Sequence, residues 1–327
     1  MNENYLQTKR PWNWRVFLIL SGSIVLAAFL IVPYSLYQLG AYGQASAPAP
    51  GWGTVVVNGL INSLIVILIG GIGLLIASRI GTGLPIIESW VVRKPSPISL
   101  RRLLAVGLIA GAGMAAAYWL LQDLVFGPPM VALFEEIGYT VPEEAIAPPL
   151  YGLLAAISAG ITEETTFRLF GLTVLAWVGG LAFHDSEKRP KLAIFWTATV
   201  VFSLAFGLMH LPDAVSRGWP INTLIITRTL VVNGIGGLVL GWLYWSFGLE
   251  TAMLAHFLGD AILYAVIPFA ALQKSEASRI AAAAIAVICI LLALAWAVRS
   301  LILEKRNHQI ECQKEFDREP IPPVIQH

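Results

Sequence analysis

Three sparse polar clusters sit inside otherwise apolar stretches of this chain: Glu163-Glu164 with Arg168, His210 preceded by Phe206, and His256 followed by Asp260. An ionisable side chain at a helix centre in a bilayer costs about 2.5 to 3.5 kcal/mol on insertion scales, so such residues mark functional sites with a partner close by. Carboxylates, imidazoles and a guanidinium are the groups hydrolysis uses to take a proton from water, pass it on and stabilise developing negative charge.

Glu164 and Arg168 are four residues apart, acid before base, and stack on one helix face as an ion pair prefers. Glu163 lies about 100° further round the helix and is free to face something else. Two neighbouring carboxylates, one neutralised and one less so, divide the labour so that one can do acid/base work. The competing reading is a structural ion-pair knot between helices. His210 closes an apolar run, one turn after Phe206, and taken alone reads as a capping or interfacial residue. His256 and Asp260 again share a face, a pair that can bind metal or in which the carboxylate orients the imidazole. Its alternative is a self-satisfied pair serving packing, with Gly259 letting another helix approach.

The elements that must position these groups are membrane spans. The chain is 57% hydrophobic and 13% charged, against roughly 25% charged in soluble domains. Apolar runs of about 20 residues occur near 16–36, 55–76, 103–126, 150–178, 192–211, 221–247, 251–271 and 280–303. The expected fold is an all-α polytopic membrane protein with about eight transmembrane helices and an intramembrane polar cavity. The net charge of +1 says little about partners; the sequence has no basic stripe for nucleic acid, and nucleic acid is not expected as a partner. Cys289 and Cys312 make neither a metal-type spacing nor a disulfide framework.

Lys9, Arg10 and Arg15 precede the first run, and the Ala45-Ser46-Ala47 triplet lies well beyond it, followed by Pro48. That pattern reads as an uncleaved signal anchor. Arg79, Arg93, Lys94, Arg101 and Arg102 crowd the connection after the second run, and Lys188, Arg189 and Lys191 the one after the fourth. The connection after the third carries Glu135, Glu136, Glu143 and Glu144 with no Lys or Arg. The positive-inside rule places both termini in the cytoplasm. Residues 40–53 read as an external linker, and 84–92 as either a short interfacial helix or an ordinary loop. The tail after Leu303 reads as a helix turn and then a disordered stretch. No fixed-period repeat is present. Asn58, Asn62 and Asn233 are expected to hydrogen-bond between helices, and Arg228 to snorkel toward the outer interface near Trp219.

Taken in order on successive segments, Glu-Glu-x-x-x-Arg, Phe-x-x-x-His and His-x-x-x-Asp resemble the CPBP family of intramembrane proteases, which includes type II CAAX prenyl proteases and bacteriocin-processing (Abi) or immunity relatives. The resemblance covers roughly residues 149–265, and Gly83-Leu84-Pro85 resembles what precedes this domain in relatives. It implies an intramembrane endopeptidase acting on a membrane-associated, prenylated or other, peptide substrate. Glu163 would activate water with help from His210, Glu164 and Arg168 would support the site, and His256 with residue 260 would stabilise the oxyanion. The family more commonly has Asn at that last position. An ionised Asp260 would repel an oxyanion, so it is protonated, or only orients His256, or the site holds a metal. Glu163, His210 and His256 are a conceivable zinc set; the metal-free mechanism is the favoured one. The breadth of the family points to a bacterial plasma membrane.

On this reading residues 1–102 hold the N-terminal spans, linker and interfacial helix. Residues 103–303 form the transmembrane core, with the catalytic region at about 149–265, and 304–327 a cytoplasmic polar tail. The rival functions are a non-catalytic scaffold or immunity protein and an ion-coupled transporter. One demand follows from helix geometry. With straight spans, His210 and His256 would lie on the order of 20 Å apart along the membrane normal. A shared site requires a tilted, extended or broken helix, such as a fifth helix starting at Lys188 or an irregular stretch over Gly234–Gly237.

Overall fold

The structure, a computed structural model, describes residues 12–42, 51–142 and 145–316. Nine helical elements carry the described chain: α1 Trp14–Tyr42, α2 Trp52–Ile80, α3 Pro85–Val92, α4 Leu100–Glu136, α5 Pro149–Ala182, α6 Leu192–Ser216, α7 Thr223–Phe247, α8 Leu249–Ala271 and α9 Glu276–Phe316. All but α3 are long and apolar enough to cross a membrane, as the apolar runs predict, and no strand occurs among the described residues. The protein is an integral membrane protein. Each crossing reverses the chain. One face therefore holds the start of α1, α3, the 183–191 hairpin and the end of α9; the other holds 137–142, 145–148, 217–222 and 272–275. These are called the near and far faces.

Sequence signals set the helix ends. Asn13, Ser99 and Asn222 accept hydrogen bonds from the first-turn amides of α1, α4 and α7, which satisfies donors that have no partner inside the helix. Leucines and isoleucines exposed around the bundle, such as Leu64, Leu68 and Leu292, are its lipid-facing surface. The main core lies toward the near face. There Leu74, Leu84, Leu169, Leu172, Leu243, Tyr244, Leu249 and Ala252 interlock.

Several expectations are corrected. α1 extends through Gly40 to Tyr42 and α2 starts at Trp52, so the 40–53 linker is shorter than expected. Its Ala45-Ser46-Ala47-Pro48 portion, like Lys9, Arg10, Glu143 and Glu144, lies outside the described residues. α9 continues helical past Leu303 to Phe316, and 317–327 lie outside the description. The 84–92 stretch is indeed helical, but its first turn is buried while Trp90 remains 72% exposed. Glu250 of α8 accepts from the amides of Ile86 and Ile87, and Gly83 accepts from the Leu249 amide. The helix N-terminus thus finds a carboxylate partner inside the protein. Asn58 and Asn62 are exposed on α2 and do not sit between helices. Asn233 bonds the Thr229 carbonyl of its own helix. Arg228 does stack near Trp219, but it is tied down by Gln122 and Tyr118 of α4 at 2.9 and 2.6 Å.

α7 and α8 are joined by Gly248 alone, at φ +95° and ψ 165°. This backbone region is essentially restricted to glycine, and a side chain would in addition collide with the Pro85 ring. Gly248→Ala is therefore expected to destabilise the protein by about 1–3 kcal/mol or more, read as a lowered thermal unfolding midpoint in detergent; an unchanged midpoint would contradict this account of the joint.

Candidate active site

The site is built on irregularities in α5, α6 and α8. α5 is α-helical to Glu164 and then widens into π-helical turns over Thr165–Leu172. Thr162, Thr165 and Thr166 bond back to carbonyls four residues earlier, and Thr173 reaches the Arg168 carbonyl five residues earlier. Hydroxyls of this kind compete for the ladder and favour such a widening. In α6, Pro212 has no amide proton and cannot continue the helix. The chain turns at His210, whose amide bonds the Gly207 carbonyl three residues back. That releases the Phe206 carbonyl, and His210 Nδ1 takes it at 2.8 Å. A carbonyl only accepts, so Nδ1 carries the proton and a neutral His210 leaves Nε2 as its free acceptor. α8 is α-helical through Ala261 and π-helical over Ile262–Val266.

These features answer the axial-distance problem differently from either expected route. α6 begins at Leu192 and not at Lys188, and Gly234–Gly237 lies within a continuous α7. Instead, α8 starts against the buried 81–86 segment, its Leu249 amide bonded to the Gly83 carbonyl. Both imidazoles reach one ring: the centroids of His210 and His256 lie 4.8 and 5.9 Å from that of Phe206.

Of the six residues singled out by type and spacing, four line a single cavity of about 210 Å³: Glu163, His210, His256 and Asp260. That is room for several waters. The other two stand behind it. Glu164 is 0% and Arg168 2% exposed, and they are paired at 2.9 Å. Glu164 Oε1 also accepts from His256 Nδ1 at 2.7 Å. Arg168 donates to the Gly237 carbonyl of α7 at 3.3 Å and lies over the Phe206 ring at 4.5 Å. With Nδ1 engaged, His256 turns Nε2 toward Asp260 Oδ2 at 3.5 Å and Glu163 Oε2 at 3.8 Å. Glu163 Oε2 is buried and accepts no hydrogen bond. Close helix approach makes this possible: Gly111 of α4 lies against Ala255 and Leu258, and Gly259 faces Gly111 and Met114.

Among the described residues no group of three or more His, Cys, Asp or Glu side chains is arranged to hold a metal ion, so Glu163, His210 and His256 do not form a ready ligand set. The sequence reading missed the cavity's outer wall, where Tyr34, Tyr118, Asp213, Arg217 and Tyr264 gather. Arg217 is paired with Asp213 at 3.0 Å and stacks on Tyr42. Nothing in their spacing links these residues; the i, i+4 step from Asp213 to Arg217 is the one signal that could have been read.

No curated protein and no solved structure matches the chain. A family model does match, over residues 145–262, roughly a third of the chain, and that segment contains all six residues. Its description is type II CAAX prenyl endopeptidase, Rce1-like. Residues 145–262, which carry all six of these side chains, are thus similar to the Rce1-like type II CAAX prenyl endopeptidases, in agreement with the CPBP resemblance.

Proposed function

We propose that the protein is an intramembrane endopeptidase that hydrolyses a peptide bond of a membrane-associated substrate, with Glu163 as the group that activates water. The observation that carries this reading is the environment of Glu163. It is a carboxylate in the wall of a cavity with room for several waters, one oxygen buried without a hydrogen bond and facing His256. The Glu163 side chain as a whole is 26% exposed and lines the cavity, and an ionised carboxylate there can take the proton of a water as that water attacks the scissile carbonyl. His210 offers Nε2 as a second acceptor toward the same cavity. His256, held between the Glu164 and Asp260 carboxylates, donates from Nδ1 to the first and presents Nε2 to the developing oxyanion. Glu164 and Arg168 act as positioning residues, since they fix the His256 ring and touch no part of the cavity. In this scheme Asp260 lies on the cavity side of the ring, beside His256 Nε2, and orients it.

The test is cleavage of a panel of membrane-anchored peptides, prenylated and not, by the purified protein in liposomes. Fragments from one internal bond are expected with wild type and none with His256→Ala. Equal traces from the two proteins would overturn the reading in favour of a scaffold, and a chelator arm separates a metal-dependent from a metal-free enzyme. The role given to Asp260 makes a narrower prediction. Asp260→Asn is expected to keep cleavage, because an amide still accepts from His256 and can also donate to an oxyanion. Asp260→Leu is expected to lose on the order of 10²-fold, the size of an oxyanion-site deletion. Loss of activity in Asp260→Asn equal to that in Asp260→Leu would assign the carboxylate's charge a direct part in the chemistry.

A further inference from the structure

We propose that this cavity is entered from the extracytoplasmic side of the membrane, so that its substrate is a peptide segment of an exported or membrane-anchored protein lying at that surface. The inference rests on the endopeptidase reading for the word substrate, but the direction of entry stands on two separate observations.

The first is where the walls come from. Asp213 and Arg217 lie at the far-face end of α6, Tyr118 at the middle of α4 and Leu121 beyond it. Tyr34 belongs to the second half of α1, and Ala155 to the first third of α5, which enters from the far face. No wall residue comes from 81–99, from 183–191 or from Gly248, the near-face connections. Below the polar groups the near half is closed by the main apolar core and by a buried hydroxyl chain, Thr173 to Tyr244 at 2.6 Å and Tyr244 to Thr82 at 3.0 Å. The cavity's polar wall thus continues toward the far face, and the near half is packed.

The second observation is charge. Arg15, Arg79, Arg93, Lys94, Arg101, Arg102, Lys188, Arg189, Lys191, Lys305 and Arg306 all flank the near face. The far face has Arg217, Lys274 and Arg279, together with the acidic Glu135 and Glu136. Lys and Arg near span ends set orientation and stay in the cytoplasm. The near face is then cytoplasmic, and the opening is on the other side. A CAAX protein anchored in the cytoplasmic leaflet could not reach this opening. That separates the substrate of this chain from the one in the family's description.

The test is thiol accessibility in intact bacterial cells producing the full chain, with Cys289→Ser and Cys312→Ser as background. Ala117→Cys reports the cavity wall and Ser186→Cys the near-face hairpin. A small membrane-impermeant methanethiosulfonate is expected to label Ala117→Cys as fully in intact as in permeabilised cells, and Ser186→Cys only after permeabilisation. The reverse pattern would overturn the proposal, as would an Ala117→Cys that stays unlabelled in permeabilised cells. Labelling does not require cleavage. A protein that labels as expected and cuts nothing would remove the endopeptidase reading and leave the outward-facing cavity standing.

Discussion

Glu163→Gln is expected to lower cleavage by about 10² to 10⁴-fold, the usual contribution of a positioned general base, without a comparable loss of stability. The amide has the size of the carboxylate and cannot take a proton from water. The side chain has few structural obligations to forfeit: its Oε2 accepts no hydrogen bond, its nearest ionic neighbour is His256 Nε2 at 3.8 Å, and it is 26% exposed. The neighbouring Glu164→Gln is the contrast, since Glu164 Oε1 holds both Arg168 and His256. That substitution should lower activity and the unfolding midpoint together. Single-turnover cleavage measured beside thermal unfolding in detergent distinguishes the two. A Glu163→Gln protein that cuts at the wild-type rate would remove Glu163 from the chemistry.

Arg168→Met should be the most destabilising single change in the polar centre, costing about 3–5 kcal/mol, because it strands a buried carboxylate without its cation. Glu164 is 0% exposed and cannot relax into water. Nor should lysine substitute well. One guanidinium nitrogen serves Glu164 while another serves the Gly237 carbonyl, and the plane lies on the Phe206 ring; an ammonium reproduces neither the fork nor the stacking. Adding Glu164→Gln to Arg168→Met should recover part of the loss, since the pair is coupled and its removal leaves no bare charge. The readout is the unfolding midpoint of each variant and of the double substitution. Additive losses would mean that the 2.9 Å contact carries no energy.

These two predictions differ in how far they could be written from the chain alone. The Glu164–Arg168 pair is local: four residues on a helix bring two side chains together whatever the rest of the protein does. The eight spans were legible for a similar reason, since hydrocarbon thickness demands about 20 apolar residues per crossing, and those runs appear as α1, α2 and α4 to α9. The polar residues themselves stood out because a bilayer makes them costly.

What lay outside the sequence was mostly a matter of rotation and height, the two coordinates of a helix that apolar composition leaves undetermined. α2 is apolar all round, so nothing in its residues says that Asn58 and Asn62 face outward. Arg228 has Gln122 and Tyr118 as partners more than a hundred positions away. Counting residues along straight spans put His210 and His256 at different depths. They meet at Phe206 because Pro212 breaks α6 at His210 and because α8 is seated on the buried start of α3 through Gly83 and Glu250. The sequence by itself determined which groups are present, how many times the chain crosses and that Glu164 and Arg168 pair, because each follows from local geometry or from the solvent. Only the tertiary structure decided which four groups share a cavity and which elements wall it, because a helix's depth and rotation are set by what it packs against.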